Sequence, residues 1–187
     1  MMLNMVRPRN DRTARTQGRV QQLARELSQL SSDPKRRTNR ERRGASVRGW
    51  ARALPQLGGG HYVLVSEARL DDALGRAARA MARTGRPVGL LVWRGRHAWV
   101  MTGVRTTADP LTNAEFRVTS VSVADPWYPR NSSIWGISPR PGTRLTPKQL
   151  AADFLPLNRS WMSTHRLKYV LVLPVLNPPQ PSMERIA

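Results

Sequence analysis

His97 and Asp125 are the residues whose types and placement point to chemistry. They lie in the stretch Arg86–Pro126, RPVGLLVWRGRHAWVMTGVRTTADPLTNAEFRVTSVSVADP, in which three apolar runs follow one another: Val88–Trp93, Ala98–Val104 and Phe116–Ala124. The runs are rich in Val, Leu and Trp, which suit a pleated, half-buried surface. The turn Arg94-Gly95-Arg96-His97 contains the glycine that a tight connection with positive φ favours. These signals predict three consecutive antiparallel strands. His97 opens the second and Asp125 closes the third, and in an antiparallel pair the start of one strand lies beside the end of the next. An imidazole and a carboxylate therefore meet at one end of the sheet. Such a carboxylate fixes the tautomer of the histidine and stabilises the imidazolium, which is the orienting half of a catalytic triad.

Along the third run Phe116 and Val118 alternate on one parity, Val121 and Val123 on the other. The break predicts a β-bulge near Thr119–Ser120, and a bulge re-aims side chains. The same spacing also fits a hairpin-end histidine and an Asp-Pro turn with no chemistry, since Asp-Pro commonly opens turns. The nucleophile is the missing partner. The chain contains no cysteine, so it offers no thiol, no disulfide and no thiolate metal site. Ser132 and Ser133 carry hydroxyls, but neither sits at a helix N-terminus in a strong nucleophile motif. The residues call for no metal and no cofactor.

The run GRPVGLLVWRGRHAWVMTGV, followed after a variable loop by FRVTSVSVADPWYP, resembles the C-terminal half of the C39-like, papain-fold cysteine peptidases. That family combines a Gly-Lys/Arg-Pro-Val strand, a short turn, a His-x-Trp/Val-Val strand reaching a glycine, here Gly103, and a strand ending in Asp-Pro. The resemblance implies an α+β, papain-like fold with N-terminal helices followed by a mostly antiparallel sheet. It implies His97 as the catalytic base and Asp125 as its orienting acid, acting on a peptide or protein substrate. The family also has a cysteine at the start of an N-terminal helix, with an oxyanion-hole glutamine just before it. This chain departs from the family there. It opens MMLNMVRP, which reads as the middle of that helix, so the expectation is a family member cut just downstream of its nucleophile. As written it reads as a truncated peptidase or a pseudoenzyme, inactive by the thiol route, and whether it is an enzyme stays open. The alternative is a non-catalytic binding module for a peptide or a polyanion such as nucleic acid.

The elements that would position the pair are mostly legible. Val20, Leu23, Ala24, Leu27 and Leu30 predict an amphipathic helix over Gly18–Leu30. Ser31–Gly44 is a polar loop whose Lys35, Arg36, Arg37, Arg40, Arg42 and Arg43 form a basic patch. Arginine suits phosphate contacts, but no aromatic is interleaved for base stacking. Ala45–Leu57 predicts a short helix with Trp50 as core anchor, ended by Pro55. His61–Val65 predicts a strand. Glu67–Thr84 predicts the strongest helix, with Asp71 and Asp72 near its start, where the dipole favours negative charge. Gly85 and Pro87 stop it. After Asp125-Pro126, Trp127 and Tyr128, with Trp99 on the second strand, are candidate cleft-lining aromatics, and Trp135 lies near the same end. Leu145–Phe154 predicts a helix capped by Thr146 with Pro147 at its first position. Tyr169–Val175 predicts a buried strand. His165 has no carboxylate nearby in sequence and carries no role.

The length, 187 residues, suits one domain over residues 1–176, followed by a Pro-rich tail, 177–187, expected to be disordered. No apolar run approaches the roughly 18–20 residues that cross a bilayer. The opening segment is too short and wrongly flanked for a signal peptide, so the chain as written reads as cytoplasmic, with export open for a longer product. The net charge of +19 predicts nonspecific attraction to polyanions. That charge is arginine except at Lys35, Lys148 and Lys168, a bias that a GC-rich coding sequence also produces.

Overall fold

The computed structural model describes residues 47–157 and 168–177. The predicted helix over Gly18–Leu30, the basic patch Lys35, Arg36, Arg37, Arg40, Arg42 and Arg43, His165 and the tail after Asn177 lie outside the described residues. Within them the chain is α+β, built on one six-stranded sheet in which every hydrogen-bonded pair is antiparallel.

Helix α1 (Val47–Gln56) comes first, then strand β1 (Tyr62–Glu67), helix α2 (Leu70–Thr84), strand β2 (Val88–Val92), strand β3 (His97–Thr106) and strand β4 (Val118–Ala124). A small hairpin follows, β5 (Asn131–Ser132) and β6 (Gly136–Ile137), then edge strand β7 (Thr143–Leu145), the one-turn helix α3 (Pro147–Leu150) and strand β8 (Tyr169–Pro174). The order across the sheet is β1-β8-β2-β3-β4-β7. β1 and β2 are both antiparallel to β8, which lies between them. They therefore run parallel, and α2 is the crossover that parallel strands require.

The strongest predicted helix forms as α2 and stops where expected, but it starts at Leu70, because Glu67 ends β1. Asp71 and Asp72 occupy the first turn of α2, and Gly85 closes it in the left-handed conformation, φ 64, its N–H on the Met81 carbonyl. Ala73, Leu74 and Ala77 of α2 face Val88, Leu90 and Val92 of β2, Trp99 and Met101 of β3, and Val121 and Val123 of β4. The opposite face of the sheet receives α1, whose Ala51 and Leu54 pack with Tyr62, Val100 and Val172. Sandwiched between two layers, β2 is buried at every position. Pro55 sits in the last turn of α1 rather than beyond it.

The bulge forms at Thr119. Arg105 pairs with Ser120 and Thr106 with Val118, so two residues of β4 span one step of β3. That extra residue brings Val118, Val121 and Val123 to the same core, which resolves the parity break in the sequence. A second irregularity lies at Thr102, between the pairs Met101–Val123 and Gly103–Ser122.

Two expectations need correction. The helices do not all precede the sheet, because β1 lies before α2 and closes the sheet through β8. Leu145 is not helical: it ends β7, opposite Val121. The helix starts only after Thr146, which caps it with Gln149 in a reciprocal box with Pro147 at its first position, and it lasts one turn before Phe154 turns into the core.

Candidate functional site

Antiparallel pairing of β3 with β4 sets His97 at the entry of one strand and Asp125 just past the exit of the other, with Val100 opposite Ala124. The side chains meet: His97 Nε2 lies 2.6 Å from Asp125 Oδ1. Asp125 is 1% exposed. An ionised carboxylate has no proton to give, so Nε2 carries the hydrogen and Nδ1 of the neutral ring holds the lone pair. Among the described residues nothing hydrogen-bonds Nδ1, which makes it the nitrogen available to accept a proton.

Asp125 Oδ1 also accepts from the Trp127 backbone N–H at 2.8 Å, an Asx-type turn that fits the Asp-Pro sequence. The Ser138 hydroxyl, equally buried, lies beside the carboxylate, and Ser138 Oγ and Asp125 Oδ2 have no other partner among the described residues. Burial alone would push the Asp125 carboxyl up. The bonds from His97 and Trp127, with smaller help from the Ser138 hydroxyl and, when the ring is protonated, from the His97 charge, outweigh it and hold the carboxyl below its ordinary value.

The turn before His97 holds the ring in place. Trp93, Arg94 and Gly95 all have positive φ, at 54, 53 and 81. Only the glycine adopts this freely, and each of the other two costs about 1–2 kcal/mol. The conformation lays the Trp93 indole on the His97 imidazole, centroids 4.4 Å apart and planes 22° apart. Asp153 grips Trp93 twice, its Oδ1 accepting from the indole Nε1 at 2.9 Å and its carbonyl from the Trp93 backbone N–H at 2.8 Å. Trp135 lies parallel to Trp93 on the β5–β6 hairpin, centroids 6.0 Å apart, and Trp127 tilts toward His97 at 5.8 Å. The imidazole is thus held by a carboxylate at its edge and an indole on its face.

Trp127 and Tyr128 are 38% and 42% exposed beside this site. Trp99 is 1% exposed and belongs to the core, edge-on to Trp93. Trp93 and Asp153 have no role in the sequence reading. Trp93 looks like one more apolar residue ending a strand, and Asp153 lies 60 positions away with nothing local to link them. Ser132 Oγ is occupied as acceptor from the Ile134 and Trp135 N–H groups. Among the described residues no three His, Asp or Glu side chains gather as a metal site, and no helix is long and apolar enough to cross a membrane. A groove of about 640 Å³ runs between α2 and the β1–β8 edge, lined by Val63, Val65, Arg76, Arg83 and Leu173. It does not include His97 or Asp125.

No protein-family model matches the chain, and neither does any curated protein or solved structure.

Proposed function

We propose that this chain carries the base-and-orienter half of a C39-like, papain-fold cysteine peptidase site and, having no thiol of its own, binds peptide without cleaving it. The observation that supports the reading is the 2.6 Å contact of His97 Nε2 with buried Asp125, which leaves Nδ1 as the working nitrogen. In the family mechanism that nitrogen takes the proton of a thiol as it attacks a peptide carbonyl, then returns it to the leaving amine. Without a cysteine in the sequence, the first of these transfers has no donor, and no acyl-enzyme forms.

The test has two parts. The chain, incubated with a mixture of quenched fluorescent peptides, hydrolyses none, and the same peptides shift the His97 ring resonances in nitrogen-edited NMR spectra. Turnover by the cysteine-free chain would overturn the reading, as would ring signals that no peptide moves. Mass spectrometry of the product made in the native cell adds a third arm. A product with a cysteine upstream of Met1 is expected to hydrolyse peptides, and to lose that activity in His97→Ala.

A further inference from the structure

Four of the exposed large apolar side chains lie in the segment that follows Asp125, the partner of His97. Trp127 and Tyr128 follow Asp125-Pro126, and Ile134 and Ile137, on the β5–β6 hairpin, are 70% and 76% exposed. The hairpin is not loosely placed. Trp135, between the two isoleucines in sequence, stacks over Trp93, and Ser132 Oγ fixes its turn. Four large apolar side chains exposed to this degree, on a segment tied to the His97 stack by Trp127 and Trp135, together present on the order of a few hundred Å², the size at which a patch marks a binding surface. Tryptophan, tyrosine and arginine are also the residues that dominate binding hot spots.

The exposed charge around the patch is positive. Residues 126–152 contain Arg130, Arg140, Arg144 and Lys148 and no aspartate or glutamate. Arg94 and Arg96, in the turn before His97, are exposed. Among the described residues none of Arg94, Arg96, Arg130 and Arg140 has an ion-pair partner. The nearest carboxylates in sequence, Asp125 and Asp153, are committed to His97 and to Trp93.

We propose that this surface takes an extended acidic peptide bearing a bulky apolar side chain. The proposal rests on the peptide-binding reading above and names the kind of peptide. The apolar side chain lies against Trp127, Tyr128 and the isoleucines, and flanking carboxylates meet the arginines. Continuity with His97 favours a peptide over a bilayer: Trp127, one of these four side chains, lies with its ring centroid 5.8 Å from that of the imidazole, so a chain lying on it reaches the pair.

Fluorescence anisotropy on the whole chain tests this with three labelled peptides: leucine flanked by glutamates, alanine flanked by glutamates, and leucine flanked by lysines. The first is expected to bind about tenfold more tightly than either of the others, over alanine through burial of part of one leucine side chain and over lysine through attraction of its carboxylates to the arginines. The double variant Ile134→Ser, Ile137→Ser is expected to weaken it about fivefold at unchanged melting temperature, since both side chains face solvent. Equal binding of the leucine and alanine peptides, or no effect of the double variant, overturns this inference and leaves peptide binding standing. No binding of any peptide removes both. Phosphatidylserine vesicles that bind the chain, and lose it in the double variant while peptides do not bind, would assign the patch to a membrane instead.

Discussion

Asp125 holds His97 and Asp153 holds Trp93, and because Trp93 lies on His97 the two carboxylates act on one stack. Their protons respond in opposite directions. The Asp125 carboxyl is pulled below its ordinary value against the effect of burial. Its contribution to stability is therefore complete above the unfolded value, near pH 3.9, and is lost as pH falls through the lower folded value. The Asp153 carboxyl is raised, first by burial, which outweighs the Trp93 hydrogen bond, with the Asp125 charge adding. Its contribution is complete below about pH 3.9 and is lost as pH rises through the higher folded value. At pH 7 its charge is thus a cost. Asp125→Asn should flatten the loss of stability between about pH 5 and pH 2, read as urea midpoints at the two pH values. A variant that loses as much on acidification as the parent would refute the assignment. Asp153→Asn keeps an oxygen for the Trp93 indole and removes the charge, so it should be as stable as the parent at pH 7, or more so. Asp153→Ala strands a buried N–H and should cost about 1 kcal/mol. Asparagine and alanine behaving alike would mean that the indole bond contributes nothing. Of these residues, the sequence makes His97 and Asp125 visible because antiparallel pairing is local and predictable. Asp153 is invisible because only the folded chain brings it to Trp93.

At the scale of elements, the signals that work are those whose cause is local. Gly85 ends α2 because a left-handed cap suits glycine. Thr146 and Pro147 mark the start of α3, and the valine parity break places the bulge at Thr119. What fails has a distant cause. β7 is three residues long and owes its conformation to β4. β1 pairs with β8, far away in sequence. The left-handed Trp93 and Arg94 contradict local preference, and tertiary contacts to Asp153 and His97 stabilise them. One further pairing governs how α1 seats on the sheet. A methyl group added at Gly89 would overlap the six-membered ring of Trp50, so glycine on β2 is what lets α1 approach. Gly89→Ala should cost about 1–3 kcal/mol by overpacking. Much of that penalty should disappear in a Trp50→Ala background, where the obstructing ring is gone, and a double-mutant cycle from denaturant melts measures the coupling. A penalty of the same size in both backgrounds would mean that α1 does not pack there.

The whole molecule carries a net charge of +19, and this field acts whether or not any site is specific. Among the described residues, acidic side chains of α2 and β1 offset some of it, with Arg69 near Asp72 and Arg76 bonded to Glu67. At the sheet end by His97, none of Arg94, Arg96, Arg130 and Arg140 has an ion-pair partner among the described residues. Charge of this kind binds polyanions by releasing their counterions, so its signature is salt dependence rather than sequence preference. If about four phosphates are neutralised, affinity for duplex DNA should fall roughly a hundredfold between about 50 and 200 mM salt. The double variant Ile134→Ser, Ile137→Ser should leave that affinity unchanged, because it removes no charge. The two surfaces then separate experimentally: DNA binding follows salt and ignores the isoleucines, while peptide binding at the His97 end needs them. DNA affinity that is absent, or insensitive to salt, would remove the polyanion reading. DNA affinity lost with the isoleucines would mean that nucleic acid uses the patch itself, and that the acidic peptide stands in for it.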